Sequence, residues 1–177
     1  MNPPVHGYLG LGSNLGDRLA SLQRAVGMLS ASAGLTVMRV SQIYECPPWG
    51  YDSPNHYLNA VAEITWDGPP LKLWELCYRI EAAVGRHAEG PEQNHEYEDR
   101  IVDLDVLWLD GVESSDERLS LPHPRAHQRA FVLVPWHELA PELTIRGRSL
   151  TGWIASLPAG EVAGVKALPD AALLIPD

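Results

Sequence analysis

The run "RIVDLDVLWL", residues 100–109, constrains the fold more than any other stretch of this chain. Its Ile, Val, Leu and Trp content reads as a β-strand. Side chains alternate across a strand, so Val102, Leu104, Val106 and Trp108 are expected on one face, toward a core. Asp103 and Asp105 then share the opposite face. Two neighbouring carboxylates in an apolar setting repel, and one of them tends to hold a proton. A sheet carrying this strand therefore needs one face covered and the other open over the aspartates. The stretch alone leaves two readings open. The pair is solvated or salt-bridged to nearby arginines, or it holds a divalent cation. Carboxylates suit magnesium, which takes one or two of them together with phosphate oxygens.

The flanking patterns supply the rest of the sheet. "HGYLGLG" reads as a short buried strand. "NLGDRLASLQRAVGMLSAS" places Leu19, Leu22, Val26 and Leu29 at helical spacing, with Asn14 or Asp17 available as cap. "LTVMRVSQIYEC" and "YLNAVAEITW" are strand-like and flank a loop stiffened by Pro47, Pro48 and Pro54. After the turn "DGPP", which places a proline to open a helix, "LKLWELCYRIEAAVG", residues 71–85, reads as an amphipathic helix through Leu71, Trp74, Leu76, Ile80 and Val84. "SLPHPRAHQRAFVLVPWHELAPEL" reads as a loop with short helical turns, and "SLTGWIASLP" as one more small helix. The order is β-α-β-β-α-β with later additions. It predicts an α+β, ferredoxin-like core, with a mainly antiparallel sheet and helices on one face. The other face is left to carry a site. No linker divides the chain, so a single domain over 1–177 is expected.

Composition narrows the function. A net charge of -10 argues against general nucleic-acid binding, which needs a basic surface, but not against an anionic small ligand held by converging arginines. No apolar run is long enough for a membrane span, and the N-terminus lacks the pattern of a signal peptide. Cys46 and Cys77 form no zinc-type spacing and no disulfide framework, and a reducing cytoplasm is the expected setting. "GLGSNLG" has neither the spacing nor the element order of a dinucleotide or phosphate loop, so it is expected to be a turn capping a helix. His123 and His127 lack the further ligands zinc needs. Nothing beside Cys46 lowers its pKa, so it is not expected to be a nucleophile.

Six segments in order, "GLGSNLGDR", "YECPPWG", "YLNAV", "RIEAAVGR", "RIVDLDVL" and "LPHPRAHQRAFVLVP", resemble the 6-hydroxymethyl-7,8-dihydropterin pyrophosphokinases of folate biosynthesis. The resemblance runs over residues 7–143 and leaves the tail 144–177 unassigned. It implies a ferredoxin-like fold and transfer of the β,γ-pyrophosphoryl unit of ATP to the pterin hydroxymethyl oxygen, with AMP leaving. It implies two magnesium ions on Asp103 and Asp105, and catalytic roles for Arg86 and Arg100 at the triphosphate. Glu81, Arg118, His123 and Arg129 match nucleotide-binding positions. Cys46, Pro47, Pro48, Gly50, Tyr57, Asn59 and Phe131 match the pterin site. It further implies a monomeric cytoplasmic enzyme acting on small molecules, without nucleic-acid or membrane partners.

The chain departs from the family in one place. Where relatives carry Trp-Gly-Pro before the arginine, Tyr97, Glu98 and Asp99 precede Arg100, in a loop that also holds Glu89, Glu92 and Glu96. Two expectations follow. The chain is an active pyrophosphokinase with a rebuilt lid, or a pterin-binding paralogue with weak or altered transfer. A non-catalytic interaction domain is a third, and it has no use for this set of arginines and aspartates.

Overall fold

The computed structural model describes residues 3–85 and 98–176. A six-stranded antiparallel sheet forms its centre. β1 (Val5–Ser13) lies between β4 (Tyr57–Trp66) and β5 (Asp103–Leu109). Along the other edge of β4 run β2 (Leu35–Val40) and β3 (Tyr44–Cys46). They were expected as one strand. Ser41 interrupts it by placing its own Oγ, 2.9 Å away, as acceptor for the Val61 N–H, so a side chain replaces a ladder carbonyl.

α1 (Arg18–Ser30) and α2 (Pro70–Val84) pack on one face of the sheet, as the β-α-β-β-α-β order requires. Asp17, not Asn14, caps α1 by accepting from Ala20 N at 3.0 Å. Pro70 opens α2 at a position where its missing N–H costs nothing. Gly85 follows α2 with φ +146°, where a side chain would be strained and would press on Ile101. Leu22, Val26 and Leu29 of α1 and Leu73 and Ile80 of α2 meet Leu9, Leu11, Ile64, Leu104 and Val106 of the sheet in the main core.

The opposite face is only partly covered. After the small hairpin β6 (Ser114–Asp116) and β7 (Leu119–Leu121), a 3-10 turn at Ala126–Gln128 leads into α3 (Ala130–Leu139). A loop with short helical turns was expected here. A ten-residue helix forms instead, with Pro135 inside it, and burial of Val132, Leu133 and Trp136 against Tyr8, Val61 and Leu107 outweighs the hydrogen bond that proline cannot donate. A β-bulge decides which residues meet α3. Leu9 pairs with Val106 but Tyr8 pairs with Trp108, so Leu107 is an extra residue. Trp108, expected beside Val106, is thereby turned to the α3 face, where it lies near Tyr8 and His6.

The tail continues through β8 (Thr144–Ile145), β9 (Arg148–Ser149), α4 (Leu150–Ser156), α5 (Ala159–Ala163) and β10 (Lys166–Ala167). Ser149 caps the expected small helix α4. β10 pairs with β3 and adds an edge strand, and Gln23 of α1 holds Leu174. No helix among the described residues is long and apolar enough to cross a membrane.

Leu9 is fully buried between the sheet and its two helices. Leu9→Ala is expected to destabilise the protein by about 2–5 kcal/mol, read as a lower urea midpoint at unchanged slope.

Candidate active site

The register of β1 builds the floor of a cleft on the open face. Gly12 lies between Asp103 of β5 and Asn59 of β4, and Gly10 lies between Asp105 and Val61. Strands are about 4.8 Å apart, so Asp103 and Asn59 stand roughly 9–10 Å from each other across a residue with no side chain. A Cβ on Gly12 would come within 3.3 Å of Asn59 Oδ1 and 3.5 Å of the Tyr57 ring. "GLGS" is thus strand, not the expected turn, and its alternate glycines keep the floor empty. The resulting cleft has a volume of about 280 Å³.

One end is charged. Asp103 and Asp105 face the cleft from β5, as alternation predicts. Arg100 Nη1 donates to Asp103 Oδ1. Asp105 Oδ2 lies 3.8 Å from Arg129 Nη1 and 3.9 Å from His123 Nε2. Burial, then the like charge of Asp103, pushes the Asp105 carboxyl above its usual range, while His123, Arg129 and Arg100 oppose that rise. Burial also lowers His123, with Asp105 acting against it. The His123 Nδ1 accepts from Arg125 N at 3.2 Å, which in the neutral ring leaves the proton on Nε2, toward Asp105.

Arg129 sits at the entry to α3. Its guanidinium lies 5.2 Å from the Trp49 ring and 5.7 Å from the Phe131 ring. Only 14% of its side chain is exposed, and its Nε is buried without a hydrogen-bond partner among the described residues. A buried guanidinium N–H in that state has capacity left for an anionic ligand.

Across Gly12 from Asp103 the lining is less charged. Cys46, Pro47, Tyr57, Asn59 and Phe131 form it. Asn59 is 3% exposed, and its Nδ2 donates to Cys46 Sγ at 3.1 Å. Burial pushes the Cys46 thiol up to about 12, so it stays protonated and is no nucleophile. Tyr57 OH donates to the Glu98 carbonyl at 3.1 Å, and burial raises its pKa.

Several expected residues stand elsewhere. Glu81 is buried on the helix face, where its Oε1 accepts the Leu104 N–H at 2.7 Å. Among the described residues β5 is the last strand on its side, so that N–H has no ladder partner there, and Glu81 supplies one. Arg118 lies in the β6–β7 turn, bonded to Asp116 and outside the cleft lining, in a hairpin whose Leu119 and Leu121 pack into the α1–α2 core. Pro48 and Gly50 do not line the cleft. Gly50, with φ +82°, shapes the loop that does. Arg86, expected at the triphosphate, and Tyr97, in the departing segment, lie outside the described residues. Conversely, Trp49, Tyr51, Arg125 and the two glycines line the cleft without having been singled out. Glycine at every second position of a strand was the legible signal for the floor. The aromatic pair in "WGY" was the signal for the wall.

A family model described as 7,8-dihydro-6-hydroxymethylpterin-pyrophosphokinase matches residues 8–141. The 2-amino-4-hydroxy-6-hydroxymethyldihydropteridine pyrophosphokinase of Methylorubrum extorquens is 45% identical over 157 residues, covering 86% of this chain and 94% of that one. Its namesake from Bacillus subtilis is 40% identical over 139 residues, covering 77% and 78%. The crystal structure of Plasmodium falciparum wild-type HPPK-DHPS superposes with a TM-score of 0.66 at 13% identity, over 88% of this chain and 45% of that one. At that identity the superposition speaks for the fold, and the fold agrees with the α+β arrangement derived above. By the match to residues 8–141 and the identity across nearly the whole of a relative, the chain belongs to the 7,8-dihydro-6-hydroxymethylpterin pyrophosphokinase family.

Proposed function

We propose that this protein transfers the β,γ-pyrophosphoryl unit of ATP to 6-hydroxymethyl-7,8-dihydropterin, releasing AMP and the pterin diphosphate. The observation that carries the reading is one cleft with two ends. Asp103 and Asp105 stand with Arg100, His123 and the buried Arg129 at one end, and Asn59, Tyr57 and Phe131 stand at the other. The triphosphate belongs at the first and the flat heterocycle at the second. Asn59, with Nδ2 on Cys46, has its Oδ1 left to accept from the pterin edge. Tyr57 and Phe131 offer aromatic faces to the ring.

The donor set fits magnesium. No cluster of three or more His, Cys, Asp and Glu is present among the described residues, so the two aspartates stand alone as hard oxygen ligands. Such a pair leaves coordination positions to phosphate oxygens and water. Magnesium held by Asp103 and Asp105 would offset charge between the carboxylates and the triphosphate and help align the reacting oxygens. The chain's own groups do the rest. Arg129 and Arg100 offer planar N–H donors to phosphate oxygens, and His123 offers Nε2–H. The pterin hydroxymethyl oxygen attacks the β-phosphorus, its proton leaves to solvent, and the bond to the AMP oxygen breaks. Positioning and charge neutralisation dominate such a transfer.

The acidic departure does not argue for lost activity. Asp99 turns away from the cleft toward Ser53 and Asn55, and Glu98 reaches the rim. No observation favours a paralogue with altered transfer.

An assay with hydroxymethyldihydropterin and Mg-ATP should form AMP in step with loss of pterin, and AMP at background level contradicts the reading. Asp103→Ala and Asp105→Ala should each lower turnover by on the order of a thousandfold with unchanged circular dichroism. Wild-type turnover in either variant refutes the metal assignment. Without magnesium, Asp105→Asn should melt no lower than the native protein, because it removes the like-charge conflict with Asp103. Arg129→Ala should raise the KM for ATP by about tenfold to a hundredfold, measured at saturating pterin.

A further inference from the structure

We propose that Asp99 is a positioning residue. Its carboxylate ties the aromatic loop over residues 49–55 to the end of β1 and to Arg100, and so sets the wall against which the pterin binds. The proposal rests on the substrate reading above.

Four side chains converge on this one carboxylate. Oδ1 accepts from Asn14 Nδ2 at 2.7 Å and from Tyr51 OH at 3.0 Å. Oδ2 accepts from Ser53 Oγ at 2.9 Å and from Asn55 Nδ2 at 2.5 Å. Ser53 Oγ also accepts Asn55 N at 3.1 Å, which closes the turn around the anion. Burial opposes the charge, but the hydrogen bonds from Asn55, Ser53, Asn14 and Tyr51 outweigh it and hold the carboxyl below its usual range.

Asn14 carries the connection onward. It is 3% exposed, its Oδ1 accepts Arg100 N at 2.6 Å, and its Nδ2 also reaches the Asn55 carbonyl at 3.2 Å. The backbone N–H groups of Asn14 and Leu15 both donate to the Arg100 carbonyl, at 2.9 and 3.2 Å. The segment that delivers Arg100 to Asp103 is therefore stapled to β1 on one side. Through Asp99 it is stapled to the loop bearing Trp49 and Tyr51 on the other. Asp99 itself does not line the cleft, while Trp49, Tyr51 and Arg100 do. Its effect must pass through them. Loops set in this way lose less entropy when a ligand binds, and the gain falls on the ligand that touches the loop.

The test is equilibrium binding of 6-hydroxymethylpterin, followed by its own fluorescence, and of an ATP analogue with magnesium, in the full-length protein. Asp99→Asn keeps the shape but turns an amide toward two of the four donors. It should weaken pterin binding by about tenfold and leave nucleotide affinity within about twofold. The double variant Asp99→Asn/Asn55→Asp exchanges donor and acceptor at the shortest contact and should recover most of the loss. Ser53→Ala deletes one donor outside the cleft and should give a smaller, equally pterin-selective loss. If Asp99→Asn fails to fold, Ser53→Ala alone decides the matter. Equal pterin affinity in the native and substituted proteins overturns the proposal, as does parallel weakening of both ligands. If the native protein binds no pterin at all, the substrate reading falls and takes this proposal with it. Binding by the native protein with no effect of substitution refutes Asp99 alone.

Discussion

Everything at the candidate site depends on the register of β1 between its two neighbours. Gly12 stands between Asp103 and Asn59, and Gly10 between Asp105 and Val61. A one-residue slip would turn Leu9 and Leu11 into the cleft and both aspartates' neighbours into bulky side chains. The main core prevents that slip, because Leu9 and Leu11 are committed to the α1–α2 face. The packing that gives the domain its stability is therefore the same packing that keeps the cleft floor bare. The bulge at Leu107 adds the second condition. It lets two consecutive residues, Leu107 and Trp108, both face the α3 side, while Val106 and Leu109 face the α1–α2 core.

The charged end is a compromise in the absence of ligands. Two carboxylates share a strand face, and burial and mutual repulsion act against ionisation of Asp105. Arg100 relieves Asp103, while Arg129 and His123 stand near 4 Å from Asp105, too far for full hydrogen bonds. On the proposed reading, magnesium would answer the aspartates and phosphate the arginines. Arg129 also shows how α3 contributes. The helix begins at the cleft, with Arg129 at its N-cap beside Asp105 and Phe131 in its first turn, and both line the cleft.

Much of this was legible in the sequence. The paired aspartates, the two amphipathic helices and the strand "YLNAVAEITW" follow from periodicities that one face of burial enforces. Arg100, His123, Arg129, Tyr57 and Asn59 were named from motif resemblance, and the fold gathers them in one cleft. What escaped depends on contacts between distant segments. Glu81 and Arg118, matched to nucleotide-binding positions by resemblance, stand outside the cleft lining, Glu81 on Leu104 N and Arg118 on Asp116, and such tertiary placements are not written in the sequence. Asp99 looked like a defect in an acidic loop, and its four donors come from two distant parts of the chain, the end of β1 and the loop over residues 49–55. The full length of α3 escaped as well, since it depends on the burial of Leu133 and Trp136 on either side of Pro135.

The most direct test of this account is a crystal structure with a non-hydrolysable ATP analogue, magnesium and hydroxymethylpterin. The account predicts magnesium bound by Asp103 and Asp105 and bridged to the triphosphate, Arg129 on a phosphate oxygen, and the pterin between Tyr57 and Phe131 with its edge on Asn59. A triphosphate bound away from the two aspartates, or a pterin that leaves Asn59 untouched, would contradict it.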